Sequence, residues 1–109
     1  MDTNAPPVYE KGYPSYDAVN RSDKSKQPLE TELMAITAEE CGELIQSCMK
    51  IVRWGTDKKK IEGLIEEAGD VALMLDLLIE HGYITRQELD ARKQVKRLKL
   101  KRYSNLIEE

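Results

Sequence analysis

From Pro28 onward the chain alternates apolar and polar residues with the three- and four-residue spacing of amphipathic helices. Ala35, Ala38, Cys41, Leu44, Ile45, Cys48 and Val52 form the first such stripe. The pattern predicts a helix that begins near Pro28 to Thr31, where proline suits a first turn. It stops at Arg53-Trp54-Gly55, with glycine in the usual terminating position. Asp57 is a fitting N-cap for a second helix. Ile61, Leu64, Ile65, Ala68, Val71, Ala72, Leu75, Leu78 and Ile79 mark that helix's buried stripe, and Gly82 ends it. Thr85 with Glu88 three residues later is the signature of a capping box, opening a third helix through "QELDARKQVKRLKLKRY" to about Tyr103. Residues 1–27 lack such periodicity and hold three of the four prolines, so they read as an extended or weakly ordered arm before a folded domain at 28–109. The expected fold class is all-α: a helical hairpin followed by a third, basic helix.

The second helix carries a further expectation. Between Val71 and Ile79 only Asp76 is polar, so this segment is apolar almost all round and calls for neighbours on several sides. Three helices of one chain supply too few. A homo-oligomer, dimer or tetramer, built on a four-helix-bundle core is therefore expected.

Acidic residues interrupt the apolar pattern twice, in related ways. "EECGEL" at 39–44 and "EEAGDV" at 66–71 align residue for residue. A short connection joins antiparallel neighbours, so a hairpin hinged near Gly55 brings the two motifs side by side. Residues three apart share a helix face, which pairs Glu40 with Glu43 and Glu67 with Asp70. Four carboxylates gathered in a partly buried volume must take up protons or bind cations. Hard divalent ions such as Mg²⁺ and Mn²⁺ prefer such oxygen ligands. Gly42 and Gly69 each cost about 1 kcal/mol in a helix interior relative to alanine, which suggests close approach of a second backbone or a ligand. Most acidic clusters are solvated faces, but duplication of this one within two apolar stripes shifts the balance. A di-iron carboxylate bundle requires Glu-x-x-His motifs, and the single histidine, His81, is not in one.

Composition narrows the classes further. The chain has 109 residues, enough for one small domain, and its aromatics are five Tyr and one Trp with no Phe. A formal charge of −3 is no global field for nucleic acid. Cys41 and Cys48 lie two turns apart on one helix, about 10 Å along its axis, too far for a disulfide. Reduced thiols, no secretory signal pattern and no apolar run of bilayer length lead to the expectation of a cytoplasmic protein without a membrane partner.

At the two acidic motifs the sequence resembles the MazG-like all-α nucleoside triphosphate pyrophosphohydrolases, a superfamily that includes dimeric dUTPases and dCTPases. Its hallmark E-E-x-x-E, a spacer, then E-x-x-D is matched by Glu39, Glu40 and Glu43, followed by Glu67 and Asp70. The resemblance covers roughly residues 29–105, and the short form is similar to stand-alone phage and bacterial members. It implies Mg²⁺-dependent hydrolysis of a nucleoside triphosphate to the monophosphate and pyrophosphate, with Mn²⁺ as a substitute. By position, Glu40, Glu43, Glu67 and Asp70 match the metal ligands. Glu39 matches a group that orients or deprotonates the attacking water, with a second-metal ligand as the alternative role. Lys93 and Lys96 match the family's Lys-x-x-Lys placement and are the expected clamp for the triphosphate.

Those two lysines belong to "ARKQVKRLKLKRY", which holds seven cations and no acid. A solvated face that balances the acidic helices is the competing explanation. A basic stripe is also the footprint of a nucleic-acid binder, although overall acidity and the lack of a reading motif argue against that partner. Arg53 and Trp54 are candidates to flank a base. Asp76 is a candidate sugar or base contact, or an intersubunit partner of the basic helix. Tyr103 and Asn105 are candidates for the pocket edge. His81 sits where a cation favours a helix C-terminus. The reading from another functional class is a catalytically weak helical module that binds nucleotides, alarmones included, or a protein partner.

Overall fold

The computed structural model describes residues 28–108; the expected N-terminal arm lies outside them. Helix α1 spans Leu29–Trp54, α2 spans Lys58–Glu80 and α3 spans Arg86–Tyr103. No strand is present among the described residues, and the all-α expectation holds.

Each helix end follows from local chemistry. Pro28 opens α1 through its carbonyl, which accepts from the Thr31 and Glu32 amides at 3.1 Å each. Glu30 and Glu32 complement the positive end of the helix dipole. Gly55 stops α1 at φ 80, a left-handed conformation that suits glycine, and donates its amide to the Ile51 carbonyl at 2.8 Å. Asp57 caps α2 by accepting from the Lys60 amide at 2.8 Å. Gly82 reverses the chain after α2 at φ 83. The Thr85–Glu88 capping box is complete: the Glu88 carboxylate accepts from the Thr85 amide, and the Glu88 amide donates to the Thr85 hydroxyl, both at 3.0 Å.

Helices α1 and α2 form the packed unit, an antiparallel hairpin joined by residues 55–57. Ser47 and Gly63 face each other across it, as do Glu40 and Glu67. By helical spacing, the inner stripe of α1 therefore runs through Leu33, Glu40, Leu44, Ser47 and Ile51. That of α2 runs through Gly63, Glu67, Val71, Met74 and Leu78. Leu33 and Met74 are the buried apolar residues, at 5% and 6% exposure. Helix α3 has little contact with the hairpin and is linked to it by an Arg86–Asp76 ion pair at 2.8 Å.

Two expectations need correction at this level. Several residues assigned to buried stripes are exposed in the chain, among them Ala38, Cys41, Ile45, Cys48 and Val52 on α1 and Ile61, Ile65, Ala68 and Ala72 on α2. They form a second apolar surface, because α1 carries apolar residues on two faces and only one of them meets α2. The glycine expectation also fails within the chain: a Cβ built at Gly42 or Gly69 meets nothing within 4 Å. The glycine in the seam is Gly63, whose added Cβ would lie 3.9 Å from the Ser47 hydroxyl oxygen. Cys41 and Cys48 are free thiols. No helix among the described residues is long and apolar enough to cross a membrane.

Candidate metal centre

The hairpin register decides which acids meet. Glu40 enters the seam from α1, while Glu67 and Asp70, one turn apart, enter it from α2. One carboxylate oxygen from each of the three lies within 4.8 Å of the others. Glu40 and Glu67 are half-buried and Asp70 is exposed, so the trio opens to solvent on one side.

Electrostatics reflects this crowding. Partial removal from water raises the Glu40 carboxyl above its usual range. The negative charge of Asp70, a hydrogen bond shared with it, and the charges of Glu43 and Glu39 raise it further. Glu67 is raised for the same first reason, and then by Glu43, Glu66, Asp70 and Glu40. Glu43 thus lies close enough to repel both glutamates, yet stands outside the trio. Glu39 is exposed beside it on α1. Like charges held together in this way favour protonation, and a divalent cation relieves the same repulsion by another route.

The remaining expected site residues are not gathered at the trio. Lys93 and Lys96 lie on α3, where with Gln94, Arg97, Leu100 and Ile107 they line a shallow depression. Lys93 also sits 3.9 Å from Asp90. Asp76 pairs with Arg86 of its own chain. Arg53 is exposed in the last turn of α1, and Trp54 ends that helix at 73% exposure. Tyr103 is likewise exposed at the end of α3, with the Arg102 guanidinium 5.9 Å from its ring centroid.

A second concavity was not anticipated. Ser47, Lys50, Asp57, Lys59, Lys60 and Gly63 line a pocket at the closed end of the hairpin. Its sequence signal was available: Lys58, Lys59 and Lys60 occupy the first turn of α2, and no acid accompanies them there. Asp57 at the N-cap pairs with Lys60, while Lys58 and Lys59 add cations at the positive end of the helix, where an anion is favourable. No family model matches this chain, and no curated protein or solved structure does.

Proposed function

We propose that this protein is a pyrophosphohydrolase that cleaves nucleoside triphosphates to the monophosphate and pyrophosphate. The observation that carries the reading is the trio Glu40, Glu67 and Asp70, three carboxylates from two helices within 4.8 Å of one another. The donor set is all oxygen and anionic, and two members are raised by partial removal from water and by neighbouring carboxylates, which fits Mg²⁺ or Mn²⁺. Glu40, Glu67 and Asp70 would hold the ion, and Glu43 is near enough to join them. Such an ion supplies charge neutralisation to phosphate oxygens and acidity to a bound water.

The protein's own residues have distinct tasks in this reading. The trio fixes the place of the reacting phosphate relative to the hairpin. Glu39, exposed beside it, accepts the proton of the attacking water. Lys93 and Lys96 clamp the substrate only if α3 of a partner subunit covers the trio, since their own helix stands apart from it. Assembly is part of the proposal. A homodimer or homotetramer with a four-helix core would cover the exposed stripe of Ile45, Val52, Ile61 and Ile65, which exposes 63%, 72%, 39% and 66% in the single chain. The proposed setting is the cytoplasm.

A second reading is favoured by the separation of α3 from the trio: a helical module that binds nucleotides without turning them over. One experiment distinguishes the two. A panel of ribo- and deoxyribonucleoside triphosphates is incubated with Mg²⁺, and monophosphate, diphosphate and pyrophosphate are resolved. Monophosphate with pyrophosphate, lost in Glu40→Gln and Asp70→Asn, supports the enzyme. No turnover of any substrate by a folded oligomer leaves the binding module.

A further inference from the structure

By helical spacing, the pocket at the closed end of the hairpin falls on the same side of the α1–α2 seam as the carboxylate trio. Ser47 follows Glu43 by one turn of α1, and Gly63 precedes Glu67 by one turn of α2. One further turn brings Lys50 on α1 and Lys59 on α2, and these four residues line the same concavity. Lys59 precedes Glu67 by eight residues and Lys50 follows Glu40 by ten, about 12 and 15 Å along the helix axes, so acids and lysines form two successive stations along the seam. Gly63 leaves the floor between them open, because the side chain opposite it is only a serine hydroxyl.

The charges within the pocket are unequal in role. Lys60 is held by Asp57 at 2.8 Å, and that carboxylate is drawn below its ordinary range chiefly by the hydrogen bond from the Lys60 side chain. These two largely neutralise each other. Lys50 and Lys59 make no ion pair among the described residues, and they remain as the pocket's net positive charge beside the positive end of α2.

We propose that Lys50 and Lys59, with the Ser47 hydroxyl, form a phosphate-binding subsite for the distal phosphates of a triphosphate ligand. The ligand then lies along the seam, its outer phosphates toward the hairpin turn and the rest of the molecule over and beyond the trio. This rests on the triphosphate reading above and differs from it in placing the tail on the hairpin itself, without α3.

The test is calorimetric titration of the full chain with inorganic tripolyphosphate in EDTA, with hydrolysis measured separately in Mg²⁺. Lys50→Gln/Lys59→Gln is compared with Lys99→Gln/Lys101→Gln, a control of equal charge, and with Lys93→Gln/Lys96→Gln, the rival clamp on α3. Circular dichroism verifies helix content, and the single variants Lys50→Gln and Lys59→Gln serve if the double variant unfolds. The expected result is binding that weakens about tenfold or more in Lys50→Gln/Lys59→Gln, the scale of a lost charge-assisted contact, stays within twofold in the charge-matched control, and weakens less in Lys93→Gln/Lys96→Gln than in Lys50→Gln/Lys59→Gln. Absence of binding by the wild type overturns the subsite. So does equal weakening in the charge-matched control, or loss confined to Lys93→Gln/Lys96→Gln. The two proposals fail separately. Tripolyphosphate bound through Lys50 and Lys59 without turnover of any nucleotide sinks the enzyme and keeps the subsite. Turnover with KM unchanged in Lys50→Gln/Lys59→Gln does the reverse.

Discussion

Glu40 of α1 and Glu67 of α2 point carboxylates at each other across the hairpin seam, with oxygens within 4.8 Å. Partial removal from water raises the proton affinity of both, the charges of Asp70 and Glu43 raise it further, and Glu67 also feels the charge of Glu40. Glu67→Gln removes one charge from this cluster while keeping its shape. Without metal at neutral pH, the variant is expected to melt at a higher temperature than the wild type. In Mg²⁺ the order should shrink or reverse, because the variant has lost a proposed ligand. Thermal melts with EDTA and with Mg²⁺ check both halves, and a metal-free Tm below that of the wild type would contradict the repulsion.

The same cluster sets a pH dependence. Folded-state carboxyl values above the unfolded reference of 4.5 mean that the native chain holds more protons than the unfolded one between those values. Stability contributed by these groups therefore falls as pH rises from the unfolded value through the raised native ones. In EDTA, the wild type should lose stability over that window, and Glu40→Gln/Glu67→Gln should lose less. Urea melts at a series of pH values measure the difference. Mg²⁺ should protect increasingly as pH rises, since it competes with protons for the same oxygens.

The exposed apolar stripe predicts the response of assembly to charge. Ile45→Lys or Ile65→Lys places a cation where the proposed four-helix core would be dry. Each should shift the protein toward monomer in light scattering coupled to size exclusion, and the Tm should lose its dependence on protein concentration. A wild type that is monomeric at every concentration tested would remove the four-helix core.

Thr85 tests α3 apart from the site. Thr85→Ala deletes half of the capping box and should cost about 1 kcal/mol. Since α3 has little packing against the hairpin, the loss should appear as fraying of α3 in amide exchange, with α1 and α2 protected as before. Cooperative loss across all three helices would mean that α3 is packed in the assembled protein.

The helix ends were legible because they are local. Gly55, Asp57, Gly82 and the Thr85–Glu88 pair each act within four residues, and each stands where its chemistry placed it. The meeting of Glu40 with Glu67 and Asp70 was also readable, since two motifs equidistant from a short turn must face each other. The face α1 turns toward α2 was not. Ile45 and Val52 are about as apolar as Leu44 and Ile51, so hydrophobicity does not choose between the two faces. The seam register, with Ser47 opposite Gly63, makes the choice. The position of α3 escaped for a different reason: seven cations state what that helix attracts, but not where the residues at 81–85 let it travel. Lys59 was passed over because a lysine in a first turn looks like surface until Lys50 is seen beside it.

By helical spacing, the side of the hairpin that holds Lys50 and Lys59 and the stripe of Ile45 and Ile65 face different ways, so the two have separable histories. Substitutions along Ser47, Lys50, Gly63 and Lys59 would alter the proposed phosphate subsite without touching Ile45 or Ile65, and changes at the back would alter the proposed assembly without moving the carboxylates. If the proposed ligand and assembly hold, selection can act on ligand preference and on subunit number as nearly independent traits, within a chain of only 109 residues.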